Sequence, residues 1–284
     1  MVSFIPGAQL QYPPPKPLID PKNKLILFWT HRCGSTSAQR WFFDLAGWKD
    51  RMPRLASRLL FRVLGNPQRA RGHGVGELAQ LWYAAHNDIY TDLNTIYRDP
   101  SYLKIAVVRD PLLRAVSAFS TVLGSKSGLQ WQAVARSLSA PDDERRISFL
   151  EFVDFLETID LATANYHWRL QTAQDWPKFD DVQLVRVEML EQALDKMCLL
   201  LGRKPVRVWT HSAQTKLNVA VSSDEILNYT RADFVRAFGF DRRGLIRLPR
   251  YASFLTEAVA MRLRRLYASD FAKLGYGCAA APTE

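Results

Sequence analysis

The chain contains 284 residues, of which 48% are hydrophobic and 23% charged, and this composition is that of a globular chain with material for a sizeable α/β core. Its formal net charge of +10 favours an anionic partner, but the basic residues are scattered and match no nucleic-acid-binding motif. The sequence has no apolar run of the length that a membrane span needs and no basic-then-apolar leader, so neither feature is expected.

The first 24 residues are predicted to form an extended strap that precedes the first strand. Residues 11–21 are proline-rich, and proline favours an extended backbone without regular hydrogen bonding. Because no long Gly/Ser-rich or charged linker appears further along, residues 1–284 are predicted to form a single domain.

The stretch from Leu25 to Gly47, LILFWTHRCGSTSAQRWFFDLAG, predicts a buried strand, a tight loop and a helix that ends at Gly47. Within the loop, residues 31–36 carry one arginine, one glycine and two hydroxyls at the point where the helix begins. The first N–H groups of a helix lack partners and carry partial positive charge. The loop is therefore expected to bind a phosphate-like anion.

Other interpretations of this loop stay open on the residues alone. A nucleotide-triphosphate loop needs a lysine after a second glycine, so a nucleotide kinase would have a degenerate loop here. A phosphatase loop needs an arginine six residues after its cysteine, whereas that position relative to Cys33 is Gln39 and the arginine is Arg40. The simplest structural alternative is an ordinary strand-to-helix turn with a serine N-cap.

A second strand with a charged end is predicted near residue 105. Leu103 to Val108 form an apolar run, and Arg109, Asp110 and Pro111 follow it at the start of a helical segment that contains Ser117. An arginine at a strand end and a serine in the next helix can converge on one phosphate. A surface arginine in a strand-to-helix turn is the alternative.

The segment between these two strands contains a histidine of interest. Residues 71–76, RGHGVG, place His73 among three glycines, which predicts a close-approach loop and not a packed element. The imidazole of such a residue can accept a proton near pH 7.

Later segments complete the predicted fold. ISFLEFVDFLETID predicts a core helix whose carboxylates, Glu151, Asp154 and Glu157, are more simply a solvated face than a metal site. Val182 to Val187 predict a third buried strand, followed by a helix that ends at Gly202. Three buried strands that each precede a helix predict a three-layer α/β/α domain with a central parallel sheet.

The remaining chemistry-bearing residues receive weaker predictions. Cys33, Cys198 and Cys278 have no paired spacing, so they indicate neither a disulfide framework nor a zinc site. Residues 209–218, WTHSAQTKLN, predict a polar loop that contains Lys216, and residues 251–276 predict one long amphipathic helix.

Two motifs together resemble the sulfotransferase family that uses 3′-phosphoadenosine 5′-phosphosulfate (PAPS) and has a P-loop-like fold. Residues 31–36, HRCGST, resemble its P-K-S-G-T-T-like loop, and residues 109–117, RDPLLRAVS, resemble its R-D-P-x-x-R-x-x-S-like segment. Residues 165–171, NYHWRLQ, are similar to the H-W-x-x-Q segment of carbohydrate-type members. Residues 267–276, YASDFAKLGY, are similar to their terminal Y-x-x-D-F-x-x-x-G-Y. The resemblance implies the carbohydrate-type branch, of sulfotransferase family 2.

The resemblance implies roles for particular residues. The loop would hold the 5′-phosphosulfate, with Arg32 at the bridging oxygen as catalytic residue. Its cofactor-binding residues would be Arg32, Cys33, Gly34, Ser35, Thr36 and Ser37. Arg109 and Ser117 would hold the 3′-phosphate, and Lys216 would close over it. His73 would be the general base, with His167 the next candidate and His86 the third, and no metal is required.

The resemblance also implies a setting and leaves alternatives. Golgi relatives carry a membrane anchor, so its absence from this sequence favours a bacterial, cytoplasmic enzyme that acts on a small-molecule or glycan acceptor. A non-catalytic binder of nucleotides or polyanions with the same fold is the competing class, and a nucleotide kinase is the third. The acceptor and the oligomeric state stay open.

Overall fold

The computed structural model describes residues 15–48, 75–124, 131–132, 134–135, 147–206, 223–241 and 246–277. These residues belong to two compact units. The sheet unit comprises the described residues of Pro15–Val108 and Trp176–His211, and the helical unit comprises those of Arg109–Asp175 and Ser212–Glu284.

A four-stranded sheet organises the sheet unit. Its strands are β1 (Leu18–Asp20), β2 (Leu25–Phe28), β3 (Leu103–Val108) and β4 (Val182–Arg186), arranged in the order β1-β2-β3-β4. Strands β2, β3 and β4 are parallel, and β1 pairs with β2 in the antiparallel direction. The predicted parallel sheet is thus confirmed in its main part, and an antiparallel edge is added.

Helices follow β2, β3 and β4 along the chain. In chain order they are α1 (Ser35–Leu45), α2 (Val75–Ala85), α3 (Leu93–Arg98), α4 (Pro111–Gly124), α5 (Phe149–Glu157), α6 (Leu190–Leu200), α7 (Ser223–Leu227), α8 (Arg231–Phe238), α9 (Glu257–Leu266) and α10 (Ala268–Leu274). None of the described helices combines the length and the apolar character that a membrane span requires.

Both faces of the sheet carry apolar side chains. On one face, Leu27, Ile105 and Val107 are buried in a single cluster with Trp41 and Phe42 of α1, and residues of α2 and α6 complete this cluster. On the opposite face the Phe28 ring lies 5.6 Å from that of Tyr97 and 6.4 Å from that of Phe179. The sheet is therefore covered on both sides, as an α/β fold requires.

Strand β1 corrects the prediction of an extended strap through residue 24. Its three residues are buried and pair with β2, and tyrosine side chains hold the segment that leads into it. The Tyr90 hydroxyl donates to the Pro17 carbonyl (3.1 Å), and the Tyr83 hydroxyl donates to the Lys16 carbonyl (2.6 Å). Burial raises the pKa of Tyr83 to about 12, so this hydroxyl stays a donor at neutral pH. Residues 1–14 lie outside the described residues.

Strand β4 exists where it was predicted, but the prediction that it is buried is wrong. It pairs with β3 at one end of the strand order, and Val185 is its one buried residue. Leu184 is 38% exposed. A short, partly apolar segment such as VQLVR therefore does not distinguish an edge strand from a central one.

The helical unit packs around aromatic side chains. Phe119 of α4 lies 5.2 Å from Phe149 and 5.7 Å from Phe152 of α5, measured between ring centroids, and α9 contacts both helices. The predicted long closing helix is divided. A 3-10 turn at Tyr251–Phe254 is followed by α9 and α10, which meet at Tyr267. Hydrophobic periodicity continues across this break and so did not indicate it.

Candidate active site

A tight turn at residues 31–34 connects β2 to α1. Arg32 has φ +68° and Gly34 has φ +65°, while Cys33 between them does not have positive φ. The Cys33 N–H donates to the Thr30 carbonyl (3.3 Å) and its side chain is fully buried, so Cys33 helps to form the turn. Alternation of backbone handedness points successive N–H groups to one side, which is the geometry of an anion-binding concavity.

Gly34 is required at its position for two reasons. Its left-handed backbone strains any residue that has a Cβ, and a Cβ there would lie 2.6 Å from Val187 Cγ2, directly after β4. The loop therefore packs closely against the residue that follows β4.

Within the described residues, the N-terminus of α1 lacks a side-chain cap, as do those of α6 and α10. Gly34 is its N-cap residue, and among the described residues no side chain caps it. Helix α5, by contrast, begins with reciprocal bonds between Ser148 and Glu151. The N–H groups of Ser37 and Ala38 both donate to the Gly34 carbonyl (3.0 Å each). Helix geometry leaves the N–H groups of Ser35 and Thr36 without an intrahelical partner. Because the N-cap residue is Gly34, the alternative of a turn with a serine N-cap is excluded.

Side-chain exposure separates the residues of the predicted loop. Thr36 is exposed, Arg32 and Ser35 are half-buried, and Ser37 is buried. We refer to residues 31–37 as the cradle. The half-buried cation, three hydroxyls and a helix N-terminus all occur within these seven residues.

Arg109 is the first residue after β3. Phe28 pairs in register with Ala106, so the two parallel strands end at the same edge of the sheet. The Asp110 carboxylate accepts from the N–H groups of Leu112 (2.7 Å) and Leu113 (3.1 Å) and thereby caps α4, in which Pro111 is the first residue, as predicted.

The backbone of Arg109 is bound by a side-chain amide. The Arg109 N–H donates to Gln171 Oε1 (2.9 Å), and Gln171 Nε2 donates to the Arg109 carbonyl (2.9 Å). The Arg109 guanidinium carbon lies 5.3 Å from the centroid of the Tyr251 ring, within range of a cation–π interaction.

The second arginine and the serine of the RDPLLRAVS motif, Arg114 and Ser117, are buried in α4. Arg114 is 1% exposed, and its guanidinium donates to the carbonyls of Arg169 (2.6 Å) and Tyr166 (3.2 Å). Ser117 is 2% exposed, and its carbonyl accepts from the Ser120 hydroxyl (2.7 Å). Arg114 therefore secures the segment that contains His167, and the Ser117 hydroxyl is enclosed in this structure.

Two of the three candidate histidines can be placed. His167 is buried, and Asn165 Oδ1 accepts its backbone N–H (3.0 Å) and lies 2.9 Å from Nδ1, which favours the tautomer with the proton on Nδ1. His86 Nδ1 bonds the Trp82 carbonyl (3.0 Å), and its ring stacks on Trp82 with centroids 4.0 Å apart. His86 therefore belongs to an aromatic cluster, while His73 lies outside the described residues.

Lys216, with the whole of residues 209–218, also lies outside the described part of the chain.

The carboxylates of α5 form hydrogen bonds with other described residues. Glu151 forms part of the α5 cap, and Arg262 of α9 donates to Glu157 (2.7 Å) and Asp154 (2.5 Å). The hydrogen bond from Arg262 lowers the pKa of Glu157. Among the described residues, no group of three or more His, Cys, Asp or Glu side chains could hold a metal ion.

The sequence did not indicate that Gln171 and Tyr251 contact Arg109, or that Asp270 bonds Gln171. Gln171 and Asp270 lie in NYHWRLQ and YASDFAKLGY, the two segments whose similarity to carbohydrate-type sulfotransferases was noted. The signal was present, but it indicated only the family. It gave no indication that the two segments meet.

Comparison with known proteins identifies the family. The model of the sulfotransferase family, family 2, matches residues 16–277, which is nearly the whole chain. The protein therefore belongs to the sulfotransferase family, and this membership supports transfer of a sulfuryl group as its activity. No curated protein and no solved structure shows a significant match to the chain.

Proposed function

We propose that the protein transfers the sulfuryl group of PAPS to a hydroxyl of a carbohydrate or another polar small-molecule acceptor. The observation that carries this proposal is the cradle, where a left-handed glycine opens an α-helix without a side-chain cap beside a half-buried arginine. Such a site suits a tetrahedral anion. The family match extends through both units, which supports a single sulfotransferase domain.

In this proposal the cradle binds the 5′-phosphosulfate. The helix N–H groups and the hydroxyls of Ser35 and Thr36 donate to the non-bridging oxygens, and Cys33, Gly34 and Ser37 shape the turn that presents them. Arg32 donates to the oxygen that bridges phosphorus and sulfur. Negative charge grows on this oxygen as the sulfur–oxygen bond breaks, so a cation placed there lowers the barrier.

Arg109 binds the 3′-phosphate in this proposal. Its planar guanidinium can donate two parallel hydrogen bonds to a phosphate, which an ammonium group cannot do. Ser117 and Lys216 are proposed as further ligands from the family resemblance. Ser117 is 2% exposed in the structure.

The reaction is an in-line displacement at sulfur. The acceptor oxygen forms a bond to sulfur while the bond from sulfur to the bridging oxygen breaks, and the acceptor proton passes to a histidine. 3′-Phosphoadenosine 5′-phosphate (PAP) leaves with the electron pair of the broken bond. By analogy with phosphoryl transfer, positioning and charge stabilisation are the main contributions of the protein.

His73 is the first candidate for the general base and His167 is the second. The hydrogen bonds that Asn165 Oδ1 accepts favour the His167 tautomer whose Nε2 can accept a proton. General base catalysis contributes about 10²- to 10⁴-fold, so substitution of the true base should lower kcat by that factor. His73→Ala and His167→Ala, compared at saturating donor, distinguish the two, and unchanged turnover in both variants would exclude both.

Two measurements test the function. Thermal unfolding with PAP, AMP, ADP and ATP–Mg²⁺ is expected to give strong stabilisation by PAP and little by AMP. Preference for ATP–Mg²⁺ would instead support a nucleotide kinase. Labelled PAPS with a panel of sugars, glycans and other hydroxyl compounds is expected to give a sulfated product, whereas PAP binding without turnover on any acceptor would support a non-catalytic binder.

A further inference from the structure

A buried amide holds residue 109 at both of its backbone polar groups. Gln171 Oε1 accepts from the Arg109 N–H and Gln171 Nε2 donates to the Arg109 carbonyl, each at 2.9 Å. Paired residues in an antiparallel sheet exchange the same two bonds. Here a side chain from 62 residues further along the chain takes the place of a neighbouring strand immediately after β3 ends.

This double bond fixes the direction in which the arginine side chain leaves the backbone. The two hydrogen bonds hold the peptide planes on either side of the Arg109 Cα, and these planes set the orientation of the Cα–Cβ bond. Glutamine suits this task because its amide provides both a donor and an acceptor. Methionine fills a similar space but makes neither bond.

Asp270 in turn holds Gln171. The Asp270 carboxylate is fully buried and accepts from the Gln171 N–H (2.9 Å), the Thr172 N–H (2.9 Å) and the Thr172 hydroxyl (2.8 Å). It also lies 3.4 Å from Gln171 Nε2, which fixes the amide with its nitrogen on the side of the Arg109 carbonyl. The chain of contacts therefore runs from α10, through the 3-10 turn Gln171–Ala173, to Arg109.

We propose that Gln171 and Asp270 are positioning residues that aim Arg109 at the 3′-phosphate of the donor and so set the preference for 3′-phosphorylated nucleotides. The proposal rests on the proposed function, because it takes Arg109 as the 3′-phosphate ligand. Gln171 fixes Arg109 at the backbone, and Tyr251 lies against its guanidinium. A side chain held in advance loses less freedom on binding than a mobile one.

The test compares PAP with AMP, which lacks the 3′-phosphate, by titration calorimetry. In Gln171→Met, PAP affinity is expected to fall about 10- to 100-fold, the range seen when the partners that orient metal ligands are removed. AMP affinity is expected to stay within about twofold of wild type, since a ligand without the 3′-phosphate does not use the arginine. In Arg109→Ala, addition of Gln171→Met is expected to cause little further loss, because the two residues act through one interaction.

Tyr267→Phe is the matched control. The Tyr267 hydroxyl donates to the Trp168 carbonyl (2.8 Å) and is buried in the same unit, so this variant loses a comparable hydrogen bond without touching Arg109. Its preference for PAP over AMP is expected to equal that of wild type. If Gln171→Met folds and retains the wild-type preference, the proposal is overturned, and equal loss in Tyr267→Phe would reduce it to a general effect on stability.

A second variant and a readout without ligand complete the test. If Gln171→Met does not fold, Asp270→Asn carries the test, and a preference for PAP unchanged within about twofold would reject the positioning role. Hydrogen exchange of the Arg109 amide is expected to quicken in either variant, relative to Tyr267→Phe, as the bond to Gln171 is lost or loosened. Failure of the wild-type protein to prefer PAP over AMP would refute the proposed function itself, whatever the exchange data show.

Discussion

The cradle and the Arg109 segment each present an arginine after a parallel strand, but they are built in different ways. Within residues 31–37 the described hydrogen bonds of the cradle are local, and its shape depends on the backbone conformation of Arg32 and Gly34. Arg109 is instead held by Gln171, 62 residues away, which is held by Asp270, a further 99 residues away. A local device can be inferred from a short motif, whereas a device made of distant contacts becomes visible only in the structure.

The largest effect is expected from a substitution that disrupts the backbone of the cradle. Gly34→Ala combines left-handed strain of about 1–2 kcal/mol with overpacking against Val187 of about 1–3 kcal/mol. We expect the free energy of unfolding to fall by the sum of these terms and turnover to be lost. Urea unfolding and a sulfuryl-transfer assay measure the two effects.

Gly47→Ala is the control for this prediction. Gly47 has φ +63°, but no described atom lies within 4 Å of the position of an added Cβ. In Gly47→Ala the free energy of unfolding should therefore fall only by the backbone strain of about 1–2 kcal/mol, and turnover should be retained. In the double variant Gly34→Ala/Val187→Ala the overpacking should be relieved, and a double variant as unstable as Gly34→Ala would contradict the role assigned to Val187.

A smaller effect is expected from removing the cation of the cradle. Arg32→Ala should lower kcat by about 10²- to 10³-fold, as removal of one group that stabilises developing charge does elsewhere. The Kd of PAPS should change much less than kcat, because the bridging oxygen carries little charge in the intact donor and gains it only as the bond to sulfur breaks. Steady-state kinetics with saturating acceptor provide the check, and a loss confined to the donor KM would assign Arg32 to binding alone.

Arg109 should show the opposite pattern, which sharpens the comparison. Loss of a hydrogen bond between charged groups costs about 1.5–3 kcal/mol of binding free energy. This cost corresponds to about a 10- to 150-fold loss of PAP affinity. In Arg109→Ala, kcat at saturating donor should stay near that of wild type, and Arg109→Lys should recover only part of the affinity because lysine cannot form a forked pair. A large fall in kcat with PAP affinity intact would contradict the division of roles.

The smallest effect is expected from an exposed long-range contact in the helical unit. Arg262 bridges α9 to Glu157 of α5, 105 residues away, and Arg262→Gln should cost less than about 1 kcal/mol at pH 7. Because Arg262 lowers the pKa of Glu157 below its ordinary 4.5, the contribution of the pair is present above that pH. It is lost as the pH falls through the lowered pKa. Urea unfolding of both proteins at pH 7 and at pH 3 should show the difference shrinking with acid. A constant difference would exclude this charge pair as its source.

The sequence predicted the parts of the fold that depend on short-range pattern. The apolar runs of β2 and β3, the glycines that follow α1 and α6, and Pro111 at the start of α4 all lie where they were expected. Strand β1 was missed because three residues beside a proline-rich segment carry too little periodicity. The exposure of β4 was missed because strand order is a property of the sheet and not of the strand.

The candidate site divides in the same way. Arg32, Gly34 and Arg109 were predicted from motifs, while the amide of Gln171 and the carboxylate of Asp270 were not, because nothing in either local sequence indicates contact with a segment 99 residues away. The burial of Ser117 could not be predicted either, because helical periodicity indicates which face of a helix is buried and not how a particular hydroxyl packs. The roles of His73 and Lys216 stay predictions from sequence.

The positive φ of Arg32 has a consequence for engineering this protein. An L-residue with a Cβ is strained at φ +68°, whereas glycine would adopt that conformation freely but would bring no charge. Folding stability and activity therefore oppose each other at this residue. A search for thermostable variants that scores melting temperature alone would select against the cation, so such a screen should leave position 32 unchanged.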